Sequence, residues 1–130
     1  MAPQPLPSPV GVKLQRLQKH TTSSAPEDFE IIQAGTNAPK LKSINIANSA
    51  ASGNVDVSLF INNNGSEFFI IKDYTITHGT RFFVDMKDIN LKTTVGNDSL
   101  FLKISTNNKD VDVIISTWLV NIFHIKKVYI

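Results

Sequence analysis

Three histidines, His20, His78 and His124, are the side chains whose protonation changes most easily near neutral pH and which most often ligate transition metals. They fall in unrelated stretches, with neither His-x-His nor His-Glu-x-x-His spacing, so the sequence supplies no zinc-type site. Their plain reading is an arm residue, a turn residue and a residue of the terminal strand. Cysteine is absent, which excludes disulfides and thiolate metal sites. Asp110 and Asp112 share a strand parity, and Asp56 has a similar outward parity. With the asparagine-rich turns at Asn62-Asn63-Asn64 and Asn107-Asn108 they could offer oxygens to calcium. No Asp-x-Asp-x-Asp-Gly loop gathers them, and turn and solvent-face roles are favoured. Serine and threonine are abundant, but no Gly-x-Ser-x-Gly elbow or nucleophile–base pair can be drawn. Asp88 and Asp98 flank an expected strand without further support for a glycosidase-type pair. The expectation is a protein that is not an enzyme and holds no cofactor and no metal.

Aromatic rings stack on sugar faces, which makes Trp118, Tyr74 and Tyr129 the candidates for a glycan-binding surface. A single tryptophan within an apolar strand more often serves a core or an interface. Lys13, Arg16 and Lys19 form a small basic group with no interleaved aromatic, and the formal net charge is only +2. Docking onto another protein is therefore expected ahead of nucleic-acid binding.

These residues must be positioned by strands. In Val55-Asp56-Val57-Ser58-Leu59-Phe60-Ile61, the residues Val55, Val57, Leu59 and Ile61 share one parity and Asp56 and Ser58 the other, with Phe60 the exception. Period two is what a strand with one dry face requires. Asn64-Gly65 then supplies a left-handed hairpin turn. In the returning strand Phe68 and Ile70 face one way and Phe69 and Ile71 the other, which predicts protein on both sides. Further strands are expected over Phe29–Gln33, Leu41–Ala47, Tyr74–Thr77, Arg81–Met86, Ile89–Thr93, Leu100–Ser105 and Val111–Ile115. Turn signals recur about every 8 to 12 residues, the rhythm of an antiparallel sandwich or barrel, and no βαβ alternation appears. The fold class is all-β: an antiparallel β-sandwich, jelly-roll or Ig-like, with an extended N-terminal arm. At 130 residues the chain suits one such domain, and no apolar run reaches the length of a membrane span.

Two segments stand apart. Residues 1–26 read as a Pro-rich arm: alternating prolines through Pro9, then a short helix with Val10, Leu14 and Leu17 on one face, then a polar linker. Two turns of helix are not stable alone, so the segment is expected to fold only when docked. Fully extended, the arm reaches about 85 Å. Residues 1–10 lack the charged and apolar regions of a secretory signal. Residues 27–130 form the sandwich. Its last stretch, Trp118–Ile130, is apolar on both parities, with Trp118, Val120 and Ile122 on one face and Leu119, Phe123 and Ile125 on the other. Either it runs through the sandwich, or a second copy or another protein covers one face.

Four stretches in order carry a resemblance: Val55–Ile61, Phe68-Phe69-Ile70-Ile71-Lys72-Asp73, Ile76-Thr77-His78-Gly79-Thr80 and Val111-Asp112-Val113-Ile114-Ile115-Ser116. They resemble the V-x-V-x-L-x-I strand, the y-y-l-i-k strand, the Ile-Pro-x-Gly turn and the v-D-v-x-i-S strand of small β-sandwich structural proteins in tailed-bacteriophage virions. Thr77 stands where that class often has proline, while Gly79 keeps the turn chemistry. The resemblance covers about residues 41–116. It implies a non-enzymatic structural role in the virion, as a capsid decoration or cement protein or as a neck, tail or fibre accessory, with other virion proteins as partners and assembly into oligomers. A glycan-binding module that contacts a host surface is the alternative. The expected contact residues are Leu6, Val10, Leu14 and Leu17 in the arm and Trp118, Phe123, Ile125 and Tyr129 in the C-terminal strand.

Overall fold

The structure, a computed structural model, describes residues 10–34, 40–93 and 96–120. Its elements are eight strands: β1 (Val10–His20), β2 (Glu27–Ile32), β3 (Leu41–Asn48), β4 (Val55–Asn63), β5 (Ser66–Ile76), β6 (Arg81–Asp85), β7 (Asp98–Ile104) and β8 (Asp110–Val120). They form two antiparallel sheets, ordered β1-β8-β3-β6 and β2-β7-β4-β5. Short connections link the sheets between β1 and β2, β3 and β4, β5 and β6, and β7 and β8. This interleaved order, eight strands in two four-stranded sheets, is a jelly roll, the first of the two sandwich types the periodicity predicts.

The core follows the expected alternation. Ile44, Ile46, Val111, Val113 and Ile115 of the first sheet meet Val57, Leu59, Leu100, Leu102 and Ile104 of the second, all buried. Each such side chain stabilises the fold by roughly 1.5–3 kcal/mol relative to exposure. The β4–β5 hairpin turns at Asn64 (φ 50°) and Gly65 (φ 93°), the pair of positive dihedrals that a two-residue turn demands. Among the described residues, no buried side-chain nitrogen or oxygen lacks a partner. Asn48, for example, donates to the carbonyls of Gly53 (2.9 Å) and Ile76 (3.0 Å) and accepts from the Ala50 amide (3.1 Å), tying two connections together.

Several expectations are corrected. Residues 10–20 form a strand, not a helix: they pair with β8 in unbroken register from Val10↔Val120 to His20↔Asp110, a long-range ladder that anchors the segment to the sandwich as two isolated helical turns could not. The sandwich therefore begins at β1. The proline-bearing residues 1–9 lie outside the described residues. No strand forms over Ile89–Thr93; Ile89 and Leu91 are half-buried against the core from an irregular segment, so their spacing reflects packing and not a ladder. Trp118 does not open a separate terminal strand but belongs to the end of β8. The β5 strand, expected to carry protein on both sides, is a sheet edge with Phe68 59% exposed. It is interrupted by register shifts against β4 between Val57 and Leu59 and between Leu59 and Phe60.

Candidate interaction surface

β1 alternates strictly, so its even-numbered residues face outward and its odd-numbered residues face the other sheet. Leu17 packs against the core, and Lys19 Nζ lies 5.6 Å from the Phe29 ring centroid of β2. On the outward side Val12 and Leu14 are each 45% exposed. Their β8 neighbours are Trp118 opposite Val12 and Ser116 opposite Leu14. Next along the strand comes Arg16, opposite Ile114, which in turn faces Asn45 of β3 and then Phe83 of β6, 59% exposed. Val12, Leu14, Trp118, Ile114 and Phe83 thus give this face an apolar half. Trp118 is half-buried, with Lys42 Nζ 5.2 Å from its ring centroid.

The other half of the same face is polar and internally paired. His20 Nδ1 meets Asp110 Oδ1 at 2.5 Å, and Gln18 Nε2 donates to Asp112 Oδ1 at 3.3 Å. Arg81 donates to Asn45 Oδ1 at 3.3 Å. The apolar half is the one where β1 begins and β8 ends, at the Val10↔Val120 pair. The chain joins residues 1–9 and residues 121–130 to the sheet at that end.

The residues predicted for chemistry are scattered and occupied. Asp110 and Asp112 hold β1 onto β8 through the contacts above. Asp56 accepts from Thr75 Oγ1 at 2.5 Å. Asp98 accepts from Asn63 Nδ2 at 2.7 Å and from the Lys92 amide at 3.0 Å, a loop-fixing role. His78 Nε2 lies 3.1 Å from the Ala51 carbonyl. Among the described residues, no three His, Asp or Glu side chains gather as a metal ion would require. Tyr74, 41% exposed, stacks on Phe82 of the facing sheet with ring centroids 4.0 Å apart.

Of the expected arm contacts, Leu14 lies outward, Leu17 lies inward, and Val10 pairs with Val120 at the strand end. Of the C-terminal contacts, Trp118 lies on the outward face. Leu6, Phe123, Ile125, Tyr129 and His124 fall outside the described residues. Sequence reasoning missed Val12 and Phe83. Val12 and Leu14 are spaced by two, the signal of a strand face, but Val10, Leu14 and Leu17 also fit a helical stripe, and the helix reading displaced them. A second outward cluster was signalled by Phe60, the parity exception. Phe60 is 1% exposed on the outer side of the second sheet, stacked on Phe101 (5.4 Å) and tilted against Phe69 (5.2 Å). Lys103 Nζ lies 5.6 Å from the Phe60 ring centroid and Lys72 Nζ 4.9 Å from that of Phe69.

No family model and no curated protein matches the sequence. Solved structures are similar to it, and the first described here shares its fold. The crystal structure of the SPBc2 prophage-derived protein YomS matches with TM-score 0.52 at 12% identity, covering 88% of this chain and 100% of that one. The crystal structure of PirA matches with TM-score 0.47 at 9% identity, covering 88% and 97%. A chain of the T13 IBDV viral particle matches with TM-score 0.42 at 11% identity, covering 87% of this chain and 32% of that one.

Proposed function

We propose that this chain is a non-enzymatic structural protein of a tailed-phage virion, a capsid decoration or cement protein that docks on a neighbouring virion protein. The observation that carries the reading is the apolar half of the outward face of sheet β1-β8-β3-β6, where Val12, Leu14 and Trp118 stand exposed or half-exposed beside the attachment points of both terminal segments. An apolar area of this kind on a small rigid body marks a protein contact. The fold shared with a prophage-derived protein and the resemblance of the four strand stretches support a phage setting.

Docking through an arm is carried by residues 1–9, because residues 10–20 are committed to the sandwich. Nine residues span about 30 Å when extended, enough to reach across a neighbouring subunit. Deleting residues 1–9 should leave the domain folded and lower its incorporation into particles, as should Trp118→Asp. Incorporation at the level of the unaltered protein in both cases would refute this docking mode. Deletion of residues 1–26 is not an equivalent test, since it strips β1 from β8 and exposes Val113 and Ile115.

One observation favours a glycan-binding module as a second reading. Phe68 and Phe69, exposed to 59% and 36%, stand close to the hairpin turn at Asn64-Gly65, where a sugar ring could stack. Glycan binding abolished by Phe68→Ala in titration calorimetry would support it. The absence of binding across a glycan array would remove it.

A further inference from the structure

Four strands end the two sheets, and three of them are short or irregular. β6 has five residues, β2 has six with a register shift between Glu30 and Ile32, and β5 is shifted twice against its neighbour. Such features blunt an edge against pairing. β1 is different: eleven residues in unbroken register, with every second residue turning its backbone N–H and C=O away from β8. It is the one long, regular edge among the described strands.

Its charge has a counterpart beside it. β1 carries Lys13, Arg16 and Lys19 and no acid; β2 carries Glu27, Asp28 and Glu30 and no base. The two strands are edges on the same side of the sandwich, joined by residues 21–26 and touching through Lys19 and Phe29. They run antiparallel, since β1 opposes β8, β2 opposes β7, and a short turn reverses β7 into β8. Among the described residues neither Arg16 nor Glu30 takes part in an ion pair, and both are exposed.

From this geometry we infer that a second copy of the chain docks on the β1/β2 side about a two-fold axis parallel to the strands, each β1 pairing antiparallel with the other copy's β2. That axis makes each sheet continuous with the opposite sheet of its partner and sets basic edges against acidic ones. The alternative axis, perpendicular to the sheets, pairs β1 with β1 and β2 with β2, placing like charges together. Outward residues must oppose outward residues across a ladder. Two neighbouring registers respect this, and the one that sets opposite charges together puts Arg16 opposite Glu30 of the partner subunit and Gln18 opposite Asp28 of the partner subunit. This interface is separate from the apolar face and does not depend on the virion reading.

The test is a charge-reversal cycle on the full chain, read by sedimentation equilibrium with circular dichroism as the check on folding. The unaltered protein should be a dimer that weakens as salt rises. Arg16→Glu alone and Glu30→Arg alone should each weaken it about tenfold or more, because the symmetry places the repulsion at two sites. The double variant should regain most of the loss. A protein that stays monomeric at every concentration overturns the inference. So does an oligomer indifferent to both reversals, which assembles through another face, or a double variant no tighter than the singles.

Discussion

Leu14 and Leu17 stand three residues apart on β1 and face opposite sides of the sheet: Leu17 packs against the core, while Leu14 is 45% exposed beside Ser116. Leu17→Ala should therefore cost about 2 kcal/mol, the low end for a core leucine because the site is only half-buried. Leu14→Ala should change stability by no more than about 0.5 kcal/mol. Urea titrations followed by tryptophan fluorescence would give both values. Equal losses at the two positions would mean that β1 does not alternate as described.

Asn48 is the polar residue on which the connections at one end of the sandwich depend. It is 3% exposed, its side-chain amide serves Gly53, Ile76 and Ala50, and its own amide donates to the Thr80 carbonyl at 2.9 Å. Asn48→Ala leaves two carbonyls and one amide short of a partner, at about 1–3 kcal/mol for each group that stays dry. A fall of about 2 kcal/mol or more in the free energy of unfolding is expected from denaturant curves. Asn48→Asp should not restore it, because a carboxylate can replace the acceptor but neither donor.

The phenylalanines on the outer side of the second sheet should separate by burial. Phe60→Ala removes a ring that is 1% exposed between Phe69 and Phe101 and should cost about 3–5 kcal/mol. Phe69→Ala removes an edge ring, 36% exposed, and should cost about 1.5 kcal/mol or less. Thermal unfolding should rank the two variants in that order, and the reverse order would contradict the packing of this face.

Strand positions were legible wherever one face is dry. The alternation in Val55–Ile61, Leu100–Ile104 and Val111–Ile115 marks inward residues that the structure buries or half-buries, and Asn64-Gly65 marks the turn between β4 and β5. Legibility failed where two periods fit the same residues. Val10, Leu14 and Leu17 satisfy a helical spacing, and only the long-range pairing with β8 decides for a strand; a partner about a hundred residues away leaves no local trace. Ile89 and Leu91 failed in the opposite sense, alternating without a ladder. The apolar face was half legible. Trp118 and Leu14 were singled out from apolar pattern, whereas Phe83 joins them only because β6 pairs with β3, a long-range relation. The aspartates looked available for chemistry because sequence does not reveal that Asp98, Asp110 and Asp112 already accept hydrogen bonds.

On the proposed function, the chain is a structural component of a virion, seated through the outward face of β1 and β8. A density map of intact particles, detailed enough to trace an eight-stranded jelly roll, tests it most directly. Regularly repeated copies of this sandwich are expected on the particle, with Val12, Leu14 and Trp118 against a neighbouring protein. Purified particles that lack the chain, or copies that turn this face to solvent, would contradict it.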